Sequence, residues 1–141
     1  AAEKPAVVFA PHVETSCGMM LPNDYLRQVA DAVHAVGGLF VLDCIASGAM
    51  WVDMQACGID VLVSAPQKGW SGSPCAGLVM LSDLARERID STQSTSYACD
   101  LRKWLWCNAF ICAKQNFYRV DSCRPGNGCF AFYDKFCIRN T

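Results

Sequence analysis

Apolar runs of four to six residues alternate with amphipathic stretches along the first 90 residues. Val7-Val8-Phe9-Ala10, held between Pro5 and Pro11, reads as a buried strand. So do Leu39 to Asp43, Asp60 to Ser64, and Ala76 to Leu81. Between the first two runs, Leu26, Val29, Ala30, Val33 and Val36 fall at helical spacing. Asn23 or Asp24 is the expected cap of that helix and Gly37-Gly38 its stop. A shorter helical piece spans Val52 to Cys57 and closes at Gly58. Ser82 caps a further helix over Asp83 to Ile89, with Asp83 in its first turn and Arg86 and Arg88 later, as the helix dipole favours.

Strand, helix, strand, short helix, strand is the order of crossover connections. Such strands are covered on both faces and therefore read as continuous apolar runs. The pattern predicts an α/β protein with a parallel-sheet core in three layers, helices on both sides of the sheet. At 141 residues and 52% hydrophobic content, the chain can bury one real core.

Charge narrows the function classes. Twelve Lys and Arg stand against thirteen Asp and Glu, so the formal net charge is −1 and there is no electrostatic footprint for nucleic acid or an anionic membrane. No stretch approaches the roughly 18 uncharged apolar residues of a membrane helix. With no charged leader and apolar core at Ala1-Ala2-Glu3-Lys4-Pro5, the expectation is a cytoplasmic protein.

The ten cysteines are unevenly placed. Cys17, Cys44, Cys57, Cys75 and Cys99 sit in apolar or small-residue contexts and read as reduced core fillers rather than disulfide partners. Cys107, Cys112, Cys123, Cys129 and Cys137 crowd the last 37 residues. Their spacing repeats no zinc-site pair and no His accompanies them, so no metal site is expected.

Two strand ends carry candidate chemistry. The run Leu39 to Asp43 ends on a carboxylate, and the run Asp60 to Ser64 leads into Ala65-Pro66-Gln67-Lys68-Gly69-Trp70. Ligands bind at the C-terminal edge of a parallel sheet, where a lysine amine can be desolvated. A strand-end Lys with a strand-end Asp suits pyridoxal phosphate: the amine forms a Schiff base with the cofactor, and the carboxylate pairs with its ring nitrogen.

Three segments together resemble the class V, fold-type I pyridoxal phosphate aminotransferases, in particular the alanine–glyoxylate or serine–pyruvate branch. They are His12-Val13-Glu14-Thr15-Ser16-Cys17-Gly18, Asp43-Cys44-Ile45-Ala46-Ser47-Gly48 and Ser64-Ala65-Pro66-Gln67-Lys68-Gly69-Trp70. The resemblance covers about residues 5–104, the central part of that family's large domain. It implies pyridoxal 5'-phosphate as cofactor, with Lys68 as its covalent anchor and proton shuttle, and Asp43 at the ring nitrogen. Ile45 would pack on a ring face, and Thr15 and Gln67 would contact polar edges. His12, Ser47 and Ser64 are candidates for supporting bonds, whereas His34, on the helix, is expected to be half-buried and uninvolved. The implied reaction moves an amino group from a small amino acid of alanine or serine type to an oxo acid of glyoxylate or pyruvate type. A homodimer is expected for the full-length family.

Two alternatives stand beside this one. Cysteine desulfurases share the fold but place a histidine before the lysine, where this chain has Gln67. A non-catalytic remnant is the other, because the resemblance lacks the family's phosphate-binding loop and small domain. Beyond Trp104 the Cys- and aromatic-rich residues 105–141 no longer match; the expectation is a tail arising from a shifted frame or a truncation. A sheet cut from a larger domain would also expose an edge and part of an apolar face.

Overall fold

The computed structural model describes residues 3–74 and 76–106 and the backbone of residues 129–132. In chain order the elements are β1 (Val7–Pro11), β2 (Val13–Glu14), β3 (Met19–Met20), α1 (Asn23–His34), β4 (Leu39–Asp43), α2 (Met54–Cys57), β5 (Val61–Ser64), β6 (Leu78–Leu81), α3 (Asp83–Ser91) and β7 (Cys129–Phe132). Residues 101–106 form a further helical segment.

The main sheet has the order β1-β4-β5-β6-β7. Strands β1, β4 and β5 are parallel, with Pro11 opposite Asp43 and Asp43 opposite Val63. β6 runs antiparallel to β5, and β7 antiparallel to β6. The parallel α/β core is therefore as expected, and the departure lies at β6. Among the described residues no helix intervenes between β5 and β6, so the chain turns back beside β5 instead of crossing over.

Helix α1 turns Leu26, Ala30 and Val33 onto Phe40, Leu42 and Leu62, and Cys44, Cys57 and Ile59 complete that core. Strand alternation puts Val41 and Leu81 on the opposite face, and both are buried. Fully burying a Leu or Phe stabilises by about 1.5–3 kcal/mol, so this cluster holds α1, α2 and the parallel strands together. The N-terminal ends are stapled by Asp60, which is 3% exposed. Its Oδ2 accepts from the Phe40 N–H at 2.8 Å and lies 2.7 Å from His34 Nε2, while Ser82 Oγ donates to its Oδ1 at 3.2 Å. His34 is half-buried, as expected, and its ring lies against Asp60 at this end of the sheet.

Several local readings change. Pro22, not Asn23 or Asp24, is the N-cap of α1, and no side chain caps it; proline's fixed φ starts the helix, and Asp24 falls in the first turn. The segment after β1 is a short β2–β3 hairpin with Gly18 at φ +67° in its turn. Ser82 and Gly58 cap as predicted: Ser82 Oγ accepts from the Ala85 N–H, and Gly58 is left-handed. Cys44 and Cys57 are buried core fillers, but Cys17 and Cys99 are exposed on turns outside the apolar clusters; all four are free thiols. Cys75 and the side chains of the five tail cysteines lie outside the described residues, as does most of the 105–141 tail.

β1 pairs on one side only among the described residues, and its outer side chains Val7 and Phe9 are 43% and 73% exposed. The exposed edge and bared apolar positions expected of a partial sheet are thus present. Among the described residues, no helix is long and apolar enough to cross a membrane.

Candidate active site

Because β1, β4 and β5 are parallel neighbours, the loops after them leave the sheet along one edge. That edge gathers the predicted residues. His12 and Thr15 follow β1, Asp43, Ile45 and Ser47 lie on and after β4, and Ser64, Gln67 and Lys68 lie on and after β5.

The first two loops are joined through buried groups. The His12 N–H donates to the Asp43 carbonyl at 2.9 Å, and His12 Nδ1 lies 2.7 Å from Ser47 Oγ. Burial holds the His12 imidazole below its usual pKa, against an opposing backbone hydrogen bond with Leu21. The second and third loops are joined in turn. The Cys44 N–H donates to the Val63 carbonyl at 2.8 Å, and Ser64 Oγ donates to the Cys44 carbonyl at 3.2 Å. Burial pushes the Cys44 thiol up to about 11, with the Asp43 carboxylate adding to the rise and a Ser47 hydrogen bond opposing it, so this cysteine is neutral and inert beside the site.

Asp43 is half-buried. Its Oδ1 accepts from the Ile45 N–H at 2.8 Å, and Oδ2 has no protein partner among the described residues. Lys68 corrects an expectation: its side chain is exposed rather than desolvated. It stands on a loop that projects past the strand ends, and the described chain supplies no lid over it. Gln67 and Thr15 are exposed too, Thr15 in the turn where Ser16 N–H and Oγ both donate to Glu14 Oε1. These two bonds lower the Glu14 carboxyl below its usual range.

The donor set suits pyridoxal phosphate. A half-buried carboxylate with one oxygen unbonded among the described residues can face a protonated ring nitrogen, and an exposed primary amine stands on the adjacent strand's loop. Among the described residues no group of His, Cys, Asp and Glu could hold a metal ion. Sequence reasoning gave no role to Trp70, whose indole N–H donates to Ser64 Oγ at 2.9 Å, nor to Gly48, which packs against it. The signal was a tryptophan two positions past the lysine, whose indole N–H finds an acceptor although the ring is 37% exposed.

With that edge in view, the comparisons with known proteins are specific. The aminotransferase class-V family matches residues 1–103, and the chain belongs to that family. It is 29% identical over 140 residues to the alanine–glyoxylate aminotransferase of Oryctolagus cuniculus, covering 98% of this chain and 34% of that protein. It is 36% identical to the 2-aminoethylphosphonate–pyruvate transaminase of Paraburkholderia phymatum, over 64% of this chain and 24% of that one. The crystal structure of a subgroup IV aspartate aminotransferase from Thermus thermophilus superposes with a TM-score of 0.62 at 31% identity, over 74% of this chain and 29% of that one. The chain thus spans about a quarter to a third of the length of these relatives.

Proposed function

We propose that this chain carries the cofactor-holding core of a pyridoxal-phosphate-dependent aminotransferase. Its amino donor is a small amino acid of alanine or serine type, and its acceptor an oxo acid of glyoxylate or pyruvate type. The observation that carries this reading is the placement of Asp43 and Lys68 at one sheet edge, at the ends of neighbouring parallel strands, with Asp43 Oδ2 unbonded among the described residues. The names of the relatives support the substrate classes.

When bound, the cofactor supplies an electron sink for charge developing at the amino-acid Cα. Lys68 would hold the cofactor through its amine, and the same amine would move the proton at the amino-acid Cα. Asp43 would face the ring nitrogen and favour its protonated form, Ile45 would pack against a ring face, and Thr15 and Gln67 would contact polar edges. His12, Ser47 and Ser64 hold the three loops in register. Residues 1–104 make up this core and 105–141 a tail outside the resemblance, of which β7 extends the sheet beside β6; a cytoplasmic homodimer is the proposed setting.

The test is direct: the chain is supplied with pyridoxal phosphate, L-alanine and glyoxylate, and pyruvate and glycine are measured against Lys68→Ala. Equal amounts of both products, absent in the variant, support the proposal. A second reading, a non-catalytic remnant, is favoured by the exposure of Lys68; cofactor bound at Lys68 without amino transfer would establish it.

A further inference from the structure

We infer that Trp70 is a positioning residue for Lys68: its indole N–H, relayed by Ser64 to the Cys44 carbonyl, fixes the lysine loop against the loop that carries Asp43. This rests on reading Lys68 and Asp43 as the cofactor-holding pair.

The direction of the relay is fixed by its chemistry. An indole nitrogen only donates, and a serine hydroxyl has one proton to give. Ser64 Oγ spends that proton on the Cys44 carbonyl at 3.2 Å and so accepts from Trp70 Nε1 at 2.9 Å. Ser64 is 4% exposed, so an unmet bond there would not be replaced by bulk water.

The backbone is shaped around this contact. A Cβ on Gly48 would lie 2.8 Å from Trp70 Nε1 and 3.0 Å from Ser64 Oγ; one on Gly69 would lie 2.4 Å from the Ala49 nitrogen. The two loops therefore close on each other at distances a side chain at either glycine would forbid. Trp51, on the Asp43 side, meets Trp70 edge-on, with ring centroids 5.5 Å apart at 86°.

The lysine loop also holds a strained residue. Ser71 has φ +54°, in the left-handed region that disfavours a non-glycine, inside a turn closed by Ser71 N–H to Lys68 carbonyl and Gly72 N–H to Pro66 carbonyl. Such a conformation persists when its surroundings over-determine it. Among the side chains of residues 67–72, Trp70's is the one hydrogen-bonded to the sheet, and it directly precedes Ser71.

The experiment is hydrogen exchange by mass spectrometry on the whole chain, following peptides over 44–51 and 64–72. Trp70→Phe keeps an aromatic ring but removes the donor with the pyrrole half of the indole, Ser64→Ala removes the relay without changing Trp70, and Trp106→Phe, far along the chain, serves as control. Each of the first two should raise exchange about five-fold in both segments, and the double variant should add nothing further. α1 and β4 should exchange as in the parent. A rise confined to 64–72, or no rise in Trp70→Phe, would overturn the inference. Should Trp70→Phe unfold, Ser64→Ala alone decides by the same criterion. With saturating pyridoxal phosphate, the induced circular dichroism of the bound cofactor should be smaller in both variants, which simple space-filling by Trp70 would not produce. If the parent chain takes up no cofactor at Lys68, the proposed function fails, and the exchange data still judge the Trp70–Ser64–Cys44 relay.

Discussion

His12 Nδ1 lies 2.7 Å from Ser47 Oγ, and the two side chains are only 3% and 5% exposed although they are 35 positions apart. The contact joins the end of β1 to the loop after β4, and the His12 N–H reinforces it on the Asp43 carbonyl. A neutral imidazole in that niche makes the site edge sensitive to acid.

The His12 pKa is lowered in the folded chain, so the unfolded chain binds the proton more tightly. Stability therefore rises with pH through this group: it is complete above the unfolded value of 6.5 and is lost as pH falls below it. Urea unfolding at pH 8 and pH 5.5 should show a lower midpoint at pH 5.5, and His12→Asn should narrow that difference. Ser47→Ala should cost about 1–2 kcal/mol at either pH. An unchanged pH dependence in His12→Asn would remove His12 from this role.

At the other end of the sheet, Asp60→Ala strips the Phe40 N–H, His34 and Ser82 of one shared partner. The expected cost is about 2–4 kcal/mol, with His34→Ala nearer 1 kcal/mol because its side chain is partly in water. Neither change should alter cofactor uptake per folded molecule, since the cluster stands at the N-terminal ends of the strands. Denaturant titration paired with cofactor binding separates the two effects.

Thiol alkylation of the native chain, mapped by mass spectrometry, should modify Cys17 and Cys99 well before Cys44 and Cys57. Burial raises the pKa of both inner thiols, Cys44 to about 11. Denaturant should abolish the difference. Early modification of Cys44 would mean that the loop after Asp43 opens readily.

Much of this fold was legible because burial on two faces leaves an unbroken apolar run, as in Leu39 to Asp43, and because Ser82 and Gly58 are strong local punctuation. The β2–β3 hairpin was not legible: two-residue strands such as Val13–Glu14 carry no period. The reversal at β6 was hidden for a different reason. An apolar run such as Leu78 to Leu81 is the same in either direction, and only the connection after Ser64, with no helix among its described residues, distinguishes them. Motif order gathered Asp43, His12, Ser47, Ser64 and Lys68 at one edge, since parallel strands send successive loops the same way. It did not show that Trp70 bonds Ser64 or that Lys68 stands in solvent, because both depend on how two loops close in three dimensions.

The account turns on Lys68. The chain should be incubated with pyridoxal phosphate, reduced with borohydride, digested and mapped by mass spectrometry. The predicted result is selective modification of Lys68, lost in Lys68→Ala and weakened in Asp43→Ala. Modification scattered over the surface lysines, or none, would contradict it.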